Sequence, residues 1–180
     1  TCAYLGDLLG LEYIYQSIDV PEVRIVVQNA MIESAMALHK KYDVALDGIL
    51  MHITDLLHRF TNAALKDTCK RVGGDPGRKL SPADRLIGSA SLALEQGVTP
   101  AYIALGAAAG LKRYIDEAEG MEQGMDAAKK VLAEVSELKA EDKLAGMILA
   151  MYEQILAGKS LKELLAAADE VKASSIHDII

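Results

Sequence analysis

Tryptophan is missing from this 180-residue chain, phenylalanine occurs once, and aromatic residues make up only 4% of it. With a formal net charge of −7, that scarcity argues against a nucleic-acid binder, which needs a cationic groove and aromatic faces for stacking. Cysteine is nearly absent as well. Cys2 and Cys69 lie far apart in sequence, which indicates neither a disulfide framework nor a metal knuckle. With no secretory signal pattern, a reducing cytoplasm is the expected compartment. No apolar run reaches the roughly 18 residues of a membrane span. The most apolar stretch, Ala101 to Leu111, is interrupted by Gly106 and Gly110 and closed by Lys112 and Arg113, so it reads as a buried core helix. No glycine-rich turn follows a predicted strand, and the chain opens on Thr1 rather than methionine. A piece of a longer protein is therefore expected, with a cofactor domain upstream.

What is present favours helix. Alanine, leucine, lysine and glutamate abound, only four prolines occur, and β-branched runs are few. The length suits one compact domain with a core of its own. The spacing of Leu5, Leu8, Leu9, Tyr13 and Ile14 predicts a helix over Ala3 to Ile18, ended by Asp19. Pro21 suits the first turn of a second helix whose close is favoured by Lys40 and Lys41. A third runs from about Leu46 to Phe60 and a short fourth from Ala63 to Val72, followed by a loop from Gly73 to Gly77. Ser81, Pro82 and Asp84 together predict a helix start, and Thr99 with Pro100 repeats the signal for a helix through Tyr114. Gly97 and Gly120 mark boundaries. Amphipathic helices over Glu141 to Leu156 and Leu161 to Val171 complete an all-α, compact multi-helical domain without a repeat period. Leu144, Met147, Ile148, Met151 and Ile155 recur at helical spacing and read as core.

One segment runs against the acidic background. Between Arg59 and Arg85 there are seven cations, namely Arg59, Lys66, Lys70, Arg71, Arg78, Lys79 and Arg85, against Asp67, Asp75 and Asp84. The local charge is +4. Such a field suits a small anion, a phosphate or carboxylate held by guanidinium forks and loop amides. The plainer alternative is a cationic loop that pairs with acids elsewhere.

The same segment carries a resemblance. Arg59, Phe60, Asn62, Leu65, Lys66, Asp67 and Thr68, then Arg71, Val72, Gly73, Asp75, Pro76, Arg78, Lys79 and Leu80, then Asp84, Arg85, Leu86, Ile87 and Gly88 resemble the signature of the mannitol-1-phosphate 5-dehydrogenases, within the polyol-specific long-chain dehydrogenases. Thr1, Ala3, Tyr4, Leu5 and Gly6 look like the segment directly after that family's catalytic motif, and Glu33 with Ser34 fits its acidic-small pair. Two positions depart from the pattern: Ala63 and Ser89 stand where the family usually has proline.

The resemblance implies the helical, C-terminal substrate domain of a two-domain NAD-dependent dehydrogenase that interconverts mannitol 1-phosphate and fructose 6-phosphate. Its partner would be an N-terminal Rossmann domain of the same polypeptide. It further implies that the catalytic lysine, asparagine and histidine lie upstream of Thr1, so that this chain is inactive alone. Of the substrate wall, Arg59 is the first candidate and Lys66 the second, with Asn62 shaping the turn between them; Arg78 and Lys79 follow, and Arg85 is expected to brace its loop beside Asp67 or Asp84.

His39, His52, His58 and His177 lack metal-ligand spacing, and His58 reads as a capping or packing residue. Cys69 reads as a small buried side chain with no neighbouring base. Two other functions compete with the leading one: the same domain in a polyol or hexuronate dehydrogenase, and a stand-alone helical binding or assembly module.

Overall fold

In the computed structural model, which describes residues 1–177, the chain is helical throughout. The side chains of Ile176 and His177, and with them the question of His177 as a ligand, lie outside the described residues. The helices are α1 (Cys2–Leu8), α2 (Ile14–Asp19), α3 (Pro21–Tyr42), α4 (Leu46–Phe60), α5 (Cys69–Val72), α6 (Pro76–Lys79), α7 (Ile87–Glu95), α8 (Ala101–Glu117), α9 (Met125–Val135), α10 (Lys143–Leu156) and α11 (Leu161–His177). Among the described residues the only β pairing is an isolated antiparallel bridge between Tyr13 and Thr68.

Helix α8 is the axis. Every residue from Ala101 to Leu111 is buried, and α1, α3, α6, α7, α9, α10 and α11 all pack against it. A helix apolar all round finds partners on every side only at the centre of a bundle. Leu105, Leu111 and Ile115 in α8 meet Ile148, Met151 and Tyr152 of α10 within one core, each large side chain contributing about 1.5–3 kcal/mol by its burial. Leu144 and Ile155 are buried there too, while Met147 packs at the edge.

The N-terminus of α8 is capped from afar. The Glu33 carboxylate, 2% exposed on α3, accepts the backbone N–H of Tyr102 at 3.2 Å and of Ile103 at 3.1 Å. Lys172 of α11 closes the arrangement, its Nζ donating to Glu33 Oε1 at 3.1 Å and to the Thr99 carbonyl at 2.7 Å. Two orphan helix donors are thus satisfied by an anion at the positive end of the macrodipole. The expected Thr99 side-chain cap does not form, and Pro100 sits one position before the first helical residue.

Other local expectations are corrected by long-range contacts. The helix expected over Ala3 to Ile18 is two helices, because Gly10 turns left-handed at φ 69° and Gln16 recaps the chain by accepting the Tyr13 N–H at 3.0 Å. Ala63 to Val72 is not continuous either. A 3-10 turn at Ala63–Leu65 ends at left-handed Lys66, and α5 starts afresh on the Thr68 hydroxyl, which accepts from Arg71 N at 3.1 Å. Ser81 and Pro82 start no helix. Residues 81–86 form turns, and α7 begins at Ile87, its first turn held by Gly88 N–H on the Asp84 carbonyl at 2.8 Å.

Candidate functional site

The cationic segment folds as a chain of short capped turns laid along one edge of α1. Two backbone bonds flank the Tyr13–Thr68 bridge and pin it there, Ile14 N to Asp67 O at 2.9 Å and Cys69 N to Glu12 O at 2.8 Å. After Gly73 and Gly74, Asp75 takes a left-handed conformation and caps α6, Pro76 occupies the first helical position, and the chain turns back on itself. The expected Gly73–Gly77 loop therefore contains the start of a helical turn.

Lys79, at the end of that turn, is 7% exposed. Its Nζ donates to the carbonyls of Val72 at 2.5 Å and Gly74 at 2.6 Å, closing the loop, and stands 5.8 Å from the centroid of the Tyr4 ring. A buried ammonium needs such partners to stay charged. Burial, then the nearby Arg85 and Arg78, push its pKa below the usual lysine value. The Tyr4 hydroxyl is buried without a hydrogen-bond partner, and burial pushes it up to about 12.

Asp84, 17% exposed at its side chain, is the hub of the next turn. Its Oδ1 accepts from the backbone N of Arg85 at 2.6 Å and from Arg85 Nε at 3.0 Å. Its Oδ2 accepts from Arg78 Nη1 at 2.7 Å, and Arg78 Nε also reaches Asp75 at 3.0 Å. The Arg85 amide, then its guanidinium and Arg78, hold the Asp84 carboxyl below its ordinary pKa.

These turns, the first residues of α1 and α8, the middle of α3 and two residues of α4 line an open cavity of about 370 Å³. Its apolar floor comes from Val27, Met31, Ile53 and Ile103, with Thr1, Ser34 and Tyr4 supplying polar atoms. Two cations line it, Lys79 and Arg85, and no aspartate or glutamate does. Arg85 stands at the rim, also bordering a shallower outer depression beside Lys41 and Glu95.

The other expected residues fall elsewhere. Arg59 and Asn62 line a separate cavity of about 110 Å³ together with Asp67, and Phe60 walls both cavities. Lys66 is exposed and lines neither. Asn62 does shape its turn, Oδ1 accepting from Ala64 N at 3.0 Å. Arg78 braces Asp75 and Asp84 and borders neither cavity. Arg85 pairs with Asp84 as expected, yet it also borders the larger cavity. Arg71 pairs with Asp67, which lies just before α5. His58 is exposed at the end of α4, where its carbonyl accepts from the Thr61 hydroxyl. Cys69 is buried. Among the described residues no group of three histidine, cysteine or acidic side chains could hold a metal ion, and no helix is long and apolar enough to cross a membrane. Tyr4, Ser34 and Phe60 as cavity walls were not evident from sequence; the single phenylalanine standing next to Arg59 was the available hint.

Comparison with known proteins decides the family, since the model of the mannitol dehydrogenase C-terminal domain matches residues 1–172. The chain belongs to that family. Among curated relatives, a mannitol-1-phosphate 5-dehydrogenase of Clostridium acetobutylicum is 35% identical over 160 residues, covering 86% of this chain and 42% of the relative. One of Thermoanaerobacter pseudethanolicus is 34% identical over 161 residues, covering 77% and 42%. One of Caldanaerobacter subterraneus reaches 44% over 111 residues, covering 62% and 29%. The chain thus spans well under half the length of these relatives. As a mannitol dehydrogenase C-terminal domain, its all-helical build and its lack of any parallel sheet among the described residues are accounted for together.

Proposed function

We propose that this chain is the substrate-binding part of an NAD-dependent oxidoreductase that interconverts mannitol 1-phosphate and fructose 6-phosphate in the cytoplasm, its site being the cavity between α1, α3 and the Lys79 turn. The observation that carries the reading is the cavity's charge: two cations and no carboxylate line it. Arg85 is paired with Asp84 through Nε alone and Lys79 is held by neutral carbonyls, so the wall presents positive charge and unused donors that an anion completes. A phosphorylated polyol supplies both the anion and a hydroxylated chain.

Family membership and the names of the relatives agree with that choice. A neutral polyol or a hexuronate leaves one of the two cations with less to do. Lys79 ranks ahead of Arg59, Asn62 and Lys66 as a substrate contact, because two of its three N–H bonds are fixed on carbonyls and its ammonium lines the larger space. Arg59 and Asn62 stand on the far side of Phe60, and Arg78 serves by holding the turn.

NAD does not fit the described residues, which offer no strand-and-glycine turn of the kind that cradles a dinucleotide. In this reading NAD and the residues that move the proton belong to a Rossmann domain in the rest of the polypeptide.

The test joins the chain to the residues encoded upstream of Thr1 and follows NADH absorbance on addition of fructose 6-phosphate or fructose. Oxidation of NADH with the phosphorylated sugar only, and none by the 180-residue chain alone, is the expected result. A protein that holds NADH yet reduces neither sugar removes the sugar-phosphate assignment and favours a hexuronate substrate.

A further inference from the structure

We infer that Arg85 is the residue that selects for a phosphorylated substrate, and that Asp84 acts only by aiming it. The inference rests on the reading of the larger cavity as the substrate site. It goes beyond that reading by dividing the work between the two cations.

Lys79 is committed to the fold: it is buried, and two carbonyls hold its Nζ. Arg85 is held differently. Its side chain is 66% exposed, and one edge of its guanidinium, Nε, is fixed on Asp84 Oδ1 at 3.0 Å. Neither terminal nitrogen has an ion pair or hydrogen bond among the described residues. A guanidinium pinned through Nε keeps its two Nη groups as a planar fork, the geometry that matches two oxygens of a phosphate. Asp84 is itself immobilised, by its own bond to the Arg85 backbone at 2.6 Å and by Arg78 at 2.7 Å. Arg78, Asp84 and Arg85 therefore form a relay of fixed geometry with its free end at the cavity rim.

Position supports the assignment. A phosphate sits at one end of a phosphorylated polyol and keeps part of its hydration, which suits a cation at the rim. The hydroxylated chain then extends inward toward Lys79 and Ser34. Lys79 meets any polyol, phosphorylated or not, whereas Arg85 meets only one that carries the terminal anion.

The experiment is calorimetric titration of the protein, with its upstream residues present, using mannitol 1-phosphate and separately mannitol. Wild type, Arg85→Ala, Arg85→Lys, Asp84→Asn and the Arg85→Ala/Asp84→Asn double variant are compared. Arg85→Ala is expected to weaken mannitol 1-phosphate binding about tenfold or more, the value of one charge-assisted contact, and to leave mannitol binding unchanged. Arg85→Lys recovers part of the loss, because a lysine supplies charge without the fork. Asp84→Asn weakens the phosphorylated ligand alone and adds nothing in the Arg85→Ala background; a purely structural Asp84 would weaken both ligands in both backgrounds. If Asp84→Asn does not fold, the Arg85 variants still decide, since their exposed side chain leaves the melting temperature unchanged. A wild-type preference for the phosphorylated ligand that survives Arg85→Ala overturns this inference alone. A wild type with no such preference overturns the substrate reading beneath it.

Discussion

Replacing Glu33 should reveal how strongly one buried carboxylate holds three helices together. Its side chain receives the N–H groups of Tyr102 and Ile103 and the ammonium of Lys172. In Glu33→Ala both amides, at the buried start of α8, lose their acceptor, at about 1–3 kcal/mol each. Lys172 keeps the Thr99 carbonyl and, being 32% exposed at its side chain, reaches water, so its share is small. The expected loss is about 3–5 kcal/mol, the range found when one partner of a buried pair is removed. With a urea dependence of about 1–3 kcal/mol per molar, the unfolding midpoint should fall by roughly 2 M. Circular dichroism is the natural probe, since the chain has no tryptophan. Glu33→Gln keeps one carbonyl acceptor and should lose about 1–2 kcal/mol.

The pH dependence has a definite sign. Burial pushes the Glu33 carboxyl above its ordinary pKa despite Lys172 and the two amides, so the folded chain binds this proton more tightly than the unfolded one. Stability from this group therefore falls as pH rises from the ordinary carboxyl value through the raised folded value, and is level above it. Glu33→Gln removes that slope. A midpoint shift below about 0.5 M for Glu33→Ala, or the same acid slope in Glu33→Gln, would refute the argument.

Four further outcomes follow from single positions. Tyr4→Phe should leave the urea midpoint unchanged or raise it, because the lost hydroxyl is buried and has no partner. Gly6→Ala should lower the melting temperature, by the equivalent of about 1–3 kcal/mol, as a Cβ there lies 2.6 Å from Ser17 Oγ and 2.7 Å from Cys69 Sγ. Cys69, its thiol pushed up to about 11 by burial, should resist a thiol-reactive disulfide reagent at pH 8 until the chain is denatured, as should Cys2; rapid native labelling of either would contradict their placement. Asp7→Ala should cost about 1 kcal/mol through the loss of its 2.7 Å bond to Arg113, and a double-mutant cycle with Arg113→Ala measures the coupling.

Helix limits were legible where the cause is local. Pro21 opens α3 and the Lys40–Lys41 end falls in its last turn, while Leu46 and Phe60 bound α4. The start of α8 after Thr99 and Pro100 was legible too, but the group that caps it was not. The cap of α8 comes from Glu33, 69 residues earlier, and no spacing rule links the two. The break at Gly10 is supported by bonds to Asp67 and Cys69, which lie beyond any local window. For the site, sequence shows that the segment from Arg59 to Arg85 is cationic but not which cations share an acid. Arg78 and Arg85 look alike in sequence, and they separate only because Arg78 is bound to both Asp75 and Asp84, while Asp84 holds Arg85 through Nε and leaves its terminal fork unused.

Lys79 joins loop closure and cavity charge in one side chain, and that places a limit on how this lineage can drift. A substitution that removes its charge also frees the carbonyls of Val72 and Gly74, so folding itself selects against it whatever the substrate. Arg85 carries no such obligation. Its side chain is 66% exposed and closes no turn, so Arg85 can be exchanged without disturbing the fold, while the lysine remains as a record of the turn it closes.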